Sequence, residues 1–329
     1  MSKKKMVDRP TFIDQIQAKW DQGKFVCVGL DPDWAKMPQD VKGAHGNRYG
    51  GFSGSAFQFL RNIVNETGDL VCAFKPNIAF FEGDDTGKGE EALKLLIAHI
   101  RISFPDVPII GDIKRADIGN TNIGYAAMAF DRYGFDAITV NPYFGGDTLD
   151  PFLKYPGKGL FVLCSTTNPG SSELQNMPIN LDMAKGGGLV SEEEHSEMTD
   201  LLDLSGSGEV VLVNQMVAFM AAKRWNKSGN LGLVVGATHP EAFEGVRRLA
   251  PDLPFLIPGI GTQGGDLERT LKYAPNSKGQ GIIINSGSAI LYASSNHDYA
   301  EAARKATLDL DKRIRIGLGY PTQLGMDVS

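Results

Sequence analysis

Asp112, Lys114 and Asp117 fall within six residues of one another, directly behind the apolar run Val107-Pro108-Ile109-Ile110. Side chains two apart on a strand share a face, so Asp112 and Lys114 should project together as the strand ends. Asp117 has the opposite parity and should lie just past the strand, where the chain turns. Charges beside a buried β-run are costly unless paired. Two readings are open at this point. Asp112 and Lys114 form a structural strand-end pair while Asp117 caps the next helix, or the three charges belong to a catalytic cluster.

The elements that must position these residues form a regular series. Eight short apolar runs read as strands: Phe25–Leu30, Leu70–Phe74, Val107–Ile113, Ala137–Asn141, Gly159–Ser165, Leu231–Gly236, Phe255–Pro258 and Gly281–Asn285. Helical stretches separate them, among them Ala56–Thr67, Lys88–Ser103, Asn122–Tyr133, Glu209–Asn226, Pro240–Ala250 and Asp266–Tyr273. Near-continuous apolar strands alternating with helices indicate a parallel sheet buried on both faces. Eight such units predict an α/β protein with a closed (β/α)8 TIM barrel, an open doubly wound sheet being the alternative. The chain should be one domain over residues 1–329, with residues 1–10 a flexible N-terminus. Long loops should follow strand 1 (Pro32–Gly54) and strand 5, where residues 168–208 form an insertion.

Composition narrows the function classes. The chain has 329 residues, 42% hydrophobic and 22% charged, and no apolar run approaches the length of a membrane span. Its start, with three lysines and no apolar segment behind them, does not read as a secretory signal. The net charge of −6 argues against nucleic acid as a partner. Cys27, Cys72 and Cys164 lie in apolar runs, an odd and widely spaced set that suggests reduced core thiols in a cytoplasmic protein. No metal-ligand spacing is present, and the five histidines (His45, His99, His195, His239, His297) read as surface or packing residues.

Barrel enzymes carry their chemistry at the C-terminal ends of the strands. There this chain places Asp31 after strand 1, Lys75 after strand 2, Asp112 and Lys114 after strand 3, Asn141 after strand 4 and Thr166-Thr167-Asn168 after strand 5. Strand 7 runs into Pro258-Gly259-Ile260-Gly261-Thr262-Gln263-Gly264-Gly265, and strand 8 into Asn285-Ser286-Gly287-Ser288. Glycine-rich tips on the last two strands suit phosphate bound by backbone N–H groups, with Gln263 a further donor. Arg115 should face away from Lys114 and pair structurally.

The pattern Asp-x-Lys-x-x-Asp-Ile-x-x-Thr from Asp112 to Thr121 resembles the signature of the orotidine 5'-phosphate decarboxylase family. Gly29-Leu30-Asp31-Pro32-Asp33, Phe74-Lys75-Pro76-Asn77, Thr167-Asn168-Pro169-Gly170 and Pro258-Gly259-Ile260-Gly261 resemble it further, in the family's order and over nearly the whole chain. The length and the Phe-Lys-Pro-Asn segment look like the longer bacterial subgroup. The resemblance implies cofactor-free decarboxylation of orotidine 5'-phosphate to uridine 5'-phosphate in pyrimidine biosynthesis, without metal. It implies an alternating network of Lys75, Asp112, Lys114 and Asp117, with Lys114 the proton donor. It also implies a homodimer in which Asp117 and Thr121 reach across the interface. Asp31 would bind ribose hydroxyls with Lys75, Thr167 would stand at the pyrimidine-contacting serine, and Pro258, Gln263, Gly287 and Ser288 would line the phosphate end. At Ser288 family members generally carry a phosphate-clamping arginine, so a charge-assisted contact is missing. That departure keeps two alternatives in view, a related metal-dependent barrel lyase acting on a sugar phosphate and a barrel that binds nucleotide without turnover.

Overall fold

A computed structural model describes residues 9–43, 51–84, 87–204 and 209–321. The strands, in chain order, are β1 (Val26–Gly29), β2 (Ala73–Lys75), β3 (Ile110–Arg115), β4 (Ala137–Val140), β5 (Gly159–Ser165), β6 (Pro178–Asn180), β7 (Val210–Leu212), β8 (Leu231–Val235), β9 (Phe255–Ile257) and β10 (Ile282–Ser286). Eight of them pair in parallel in the order β2-β1-β10-β9-β8-β5-β4-β3. Bridges between Phe74 and Ile109 and between Asn77 and Asp112 join β2 to β3 and bring the sheet round into a (β/α)8 barrel. All eight expected strands are present. Their apolar runs are continuous because one face meets the barrel interior and the other the surrounding helices.

The N-terminal end of the barrel is plugged by the helix Phe12–Asp21, which the sequence reading did not anticipate. Thr11 and Asp14 form a reciprocal capping box that fixes where this helix starts. Phe12 packs edge-on against Phe161 at 5.6 Å, and Gly159 at the start of β5 has room for no side chain, since a Cβ there would lie 2.4 Å from the Phe12 ring. The Trp20 indole N–H donates to the Ile282 carbonyl at the start of β10 (2.7 Å). Within the expected flexible N-terminus of residues 1–10, Arg9 donates to Gln15 (3.0 Å) and the Pro10 carbonyl accepts the Gln15 amide (2.7 Å); residues 1–8 lie outside the described residues.

Three further differences have local causes. The expected helix over Glu209–Asn226 begins only at Val213, because the β-branched pair Val210-Val211 joins β7, which pairs antiparallel with β6. The long segment after β1 contains a short helix, Gln39–Gly43, and the next helix starts at Phe52 rather than Ala56; residues 44–50, with His45, lie outside the described residues. A 20-residue helix, Tyr299–Leu318, follows the barrel and packs along the helix Phe52–Thr67, Asn62 donating to the Tyr299 hydroxyl (2.7 Å). Cys27, Cys72 and Cys164 are buried and free, and burial pushes the Cys27 thiol up to about 12. Among the described residues no helix is long and apolar enough to cross a membrane.

Candidate active site

β2 and β3 end side by side, and their tips bring three charges together. Asp112 is buried, with one oxygen accepting from Lys75 Nζ (2.8 Å) and the other from Lys114 Nζ (2.6 Å). Thr139 on β4 donates its hydroxyl to the same oxygen that Lys114 binds (2.8 Å), and accepts the Lys114 backbone N–H (3.0 Å). Asp112 and Lys114 do share the inward face, but not by plain strand alternation. Lys114 has φ of +47°, in the left-handed region that a side chain makes unfavourable, and the β3–β4 register shifts between Gly111 and Arg115. The backbone is bent there so that the lysine returns to Asp112. Arg115 then turns outward, pairs with Glu82 (2.6 Å) and lies over the Tyr125 ring (5.2 Å).

Asp31, at the tip of β1, completes the charged floor. Its carboxylate accepts the Asn77 N–H (3.2 Å), and the Tyr292 hydroxyl ties down the loop by donating to the Asp31 carbonyl (3.0 Å). The close approach of β1 to β10 favours glycine, because a Cβ on Gly29 would lie 3.0 Å from the Gly287 Cα.

The neighbours set the protonation states. Burial alone would raise the Asp112 carboxyl, but the Lys75 and Lys114 ammonium groups outweigh it and hold Asp112 well below the usual carboxylate range. Burial likewise works against charged Lys75, and the negative Asp112 and Asp31 overcome it, holding Lys75 above its ordinary value. For Asp31 burial wins: its carboxyl is raised, with Lys75 opposing the shift only in part. Carboxyl and amino groups thus alternate along the floor from Asp31 through Lys75 and Asp112 to Lys114.

These groups line a cavity of about 190 Å³ at the C-terminal mouth of the barrel. Thr166, Thr167, Pro258, Gln263 and Asn285 form its opposite wall, and Val234 and Leu256 supply apolar surface. Gly259 (φ +103°) and Gly261 (φ +107°) take backbone angles that L side chains rarely adopt, and Gly259 packs against the Thr167 methyl. The buried Asn285 side-chain oxygen has no partner among the described residues, so it is open to a donor from a bound molecule.

Seven of the eleven residues given a site role from sequence therefore meet in one cavity: Asp31, Lys75, Asp112, Lys114, Thr167, Pro258 and Gln263. Gly287 and Ser288 stand beside it, Gly287 against Gly29 and Asp31, and Ser288 exposed at the start of the short helix Ser288–Leu291. Asp117 and Thr121 do not line it. The Asp117 carboxylate accepts the N–H of its neighbour Ile118 (2.6 Å) and its carbonyl accepts the Asn122 amide (2.7 Å); Asp117 does not cap the helix Gly119–Ala126, whose N-cap is Ile118. Thr121 is exposed on that helix. Thr139 and Tyr292 were missed. Thr139 is one hydroxyl inside an apolar run, and its inward parity was the only available signal.

The comparisons with known proteins agree with this geometry. Residues 24–306 match the model of the family described as orotidine 5'-phosphate decarboxylase / HUMPS. The orotidine 5'-phosphate decarboxylase of Cupriavidus metallidurans is 43% identical over 305 residues, 92% of this chain and 97% of that one. The enzyme of the same name from Dechloromonas aromatica is 42% identical over 307 residues, covering 93% and 99%. The solved structure of Leishmania donovani OMP decarboxylase superposes with a TM-score of 0.72 at 31% identity, over 94% of this chain and all of that one. The chain belongs to the orotidine 5'-phosphate decarboxylase / HUMPS family.

Proposed function

We propose that the cavity removes CO2 from C6 of orotidine 5'-phosphate to give uridine 5'-phosphate, with Lys114 as the proton donor. One observation carries this reading: a buried carboxylate held ionised between two ammonium groups at the floor of the cavity. Breaking the C6–carboxylate bond leaves its electron pair on C6, where no adjacent carbonyl delocalises it. The Lys114 ammonium, fixed in place by Asp112, stabilises that pair and then donates its proton to it. The lysine side chain is 48% exposed and regains a proton from solvent.

Asp112 acts through charge. Beside the substrate carboxylate, two unit negative charges about 4 Å apart at an effective dielectric near 20 repel by about 4 kcal/mol, and the repulsion disappears as CO2 leaves. Lys75 balances Asp112 in the free site. Asp31 with Lys75 holds ribose hydroxyls, Thr167 offers its hydroxyl to the pyrimidine, and Pro258, Gln263, Gly287 and Ser288 surround the phosphate. The step draws only on charges that the chain itself supplies.

The functional unit in this reading is a homodimer, with Asp117 and Thr121 completing the partner's site. What supports it is that Asp117 does not line its own cavity and immediately precedes a helix start that exposes Ile118 (59%) and Ile123 (56%). We read the chain as one barrel domain, with residues 168–208 an insertion.

The test follows the ultraviolet absorbance of orotidylate with purified protein and excess chelator. Steady conversion is expected. Activity that vanishes in chelator would point to a metal-dependent lyase, and tight binding without turnover to a nucleotide-binding barrel. Mixing Lys114→Ala with Asp117→Ala chains tests the dimer. Random exchange puts one intact site in half of the dimers and restores about a quarter of full activity; no recovery after proven exchange would refute the crossing of Asp117.

A further inference from the structure

We propose that Asp182, His195 and Glu209 bind a divalent transition-metal ion of the zinc class, at the base of the excursion between β5 and β8. The three residues come from three segments: Asp182 from the helix Leu181–Gly186, His195 from the helix Glu192–Leu202, and Glu209 from the residue before β7. Antiparallel pairing of Asn180 with Val210, and the Leu181 N–H donating to the Glu209 carbonyl (2.9 Å), set Asp182 beside Glu209. The His195 ring then closes the triangle from the facing helix.

His195 Nε2 stands 3.1 Å from an Asp182 oxygen and 3.1 Å from a Glu209 oxygen. One ring N–H can point along only one of those lines, yet both carboxylates converge on the same nitrogen at equal distance. Three ligand atoms within 4.8 Å of one another suit one small cation. Nitrogen and oxygen ligands about 2.0–2.1 Å from a tetrahedral zinc ion stand about 3.3 Å apart, close to the two separations seen. Imidazole with two carboxylates is a donor set that such ions accept.

The surroundings fit that role. Thr199 donates its hydroxyl to the same Glu209 oxygen (2.8 Å), the kind of outer hydrogen bond that orients a ligating carboxylate. The imidazole is 11% exposed and Asp182 65% exposed, so the anchor is buried while one side stays open for entry and for a water as fourth ligand. Lys185 lies nearer Glu192 (3.3 Å) than Asp182 (3.8 Å), leaving the trio with negative charge to be balanced. None of the three residues lines the candidate active site. A bound ion would instead cross-link the paired strands β6 and β7 to the helix Glu192–Leu202, in the same excursion whose Gln175 clamps Thr166 (2.8 Å) at the cavity wall. Its role would be to stiffen that excursion; the wall itself is held by the Gln175–Thr166 hydrogen bonds, so turnover persists in chelator.

The full chain, stripped with chelator and dialysed, would be titrated with Zn2+ by calorimetry and with Co2+ by visible spectroscopy. One equivalent should bind at about micromolar Kd or tighter, with the absorption bands of four-coordinate Co2+. Excess Zn2+ should raise the unfolding midpoint by about 5 °C. His195→Ala should weaken binding about 100-fold, and Asp182→Asn, at an exposed position that leaves the fold intact, about 10-fold or more. No binding to the full chain would overturn the proposal. So would unchanged affinity in both variants, or a midpoint indifferent to Zn2+, the result expected if a protonated imidazole alone bridges the two carboxylates. Orotidylate turnover is not the readout, so failure here leaves the decarboxylase reading standing.

Discussion

Buried charge occurs at both ends of this barrel, and the two ends use it differently. At the N-terminal end, Asp136 accepts the Ile109 N–H (2.8 Å) and pairs with Arg101 (2.7 Å), while Arg247 donates to the carbonyls of Ala250, Pro251, Leu253, Ala274 and Gly281. The Arg247 guanidinium also lies 3.5 Å from the centre of the Phe255 ring, and burial lowers its pKa to about 9. Every Arg247 nitrogen meets a protein carbonyl, while Arg101 Nη1 faces Asp136 as an ion pair without an aligned hydrogen bond. At the C-terminal end, Lys75 and Lys114 share one carboxylate and keep spare N–H groups, Asn285 has a free oxygen, and a cavity opens among them. A cluster satisfied largely within the protein stabilises the fold; an unsaturated one beside a cavity can act on a ligand.

Removing one cation from each end should break the symmetry of that comparison most sharply. Lys114→Ala is expected to lower kcat about 10⁵-fold, since it removes both the proton donor and the charge at the developing carbanion. Its unfolding midpoint should stay within a few degrees of the parent, because Lys75 still pairs with Asp112. Near-normal turnover would sink the assignment of Lys114. Arg247→Met should do the reverse. It strands several buried carbonyls, a loss of about 3–5 kcal/mol in denaturant unfolding, while kcat per folded molecule stays within about twofold. If Arg247→Met loses activity without losing stability, the division between the two ends is wrong.

The ends also differ in how far the sequence revealed them. The eight strands were legible because a strand covered on both faces is a continuous apolar run, a local pattern. Asp112, Lys114 and Asp117 stood out because three charges directly beyond such a run are costly. What could not be read locally are the partners brought in by closure: Lys75 lies 37 residues from Asp112, and Thr139 lies 27 residues from it. The N-terminal cluster was invisible for the same reason, as Arg247 acts on carbonyls that every residue carries. The plug helix had a signal, the Thr11–Asp14 capping box, that went unread. The left-handed backbone at Lys114 had none, since nothing in a lysine announces a positive φ.

Ser288 offers a smaller perturbation, confined to the active end. It is exposed beside the glycine-rich phosphate wall, and among the described residues lining the cavity the only cations are Lys75 and Lys114, both engaged with Asp112. Ser288→Arg should therefore add a charge-assisted contact to the substrate phosphate, lowering KM about 10-fold, or roughly 1.4 kcal/mol, with little change in stability. The gain should shrink with rising salt, as an exposed charge requires. An unchanged KM at low salt would mean that the phosphate does not approach position 288.

The smallest expected effect concerns strain, which the active end carries at Lys114 and which also needs an internal control. Lys114→Ala and Lys114→Gly both delete the ammonium, so neither should turn over substrate. They differ in what φ of +47° costs them: alanine keeps the clash between Cβ and backbone, whereas glycine does not. Lys114→Gly should therefore unfold about 1 kcal/mol later than Lys114→Ala in denaturant, despite the greater freedom glycine gives the unfolded chain. The matched exchange at Ile113, the preceding residue of β3 without a positive φ, should run the other way, with Ile113→Gly less stable than Ile113→Ala by about 1 kcal/mol. If glycine is the worse residue at both positions, the bend at Lys114 is not strained. The lysine would then be aimed at Asp112 by its hydrogen bonds to Asp112 and Thr139, with no help from the backbone.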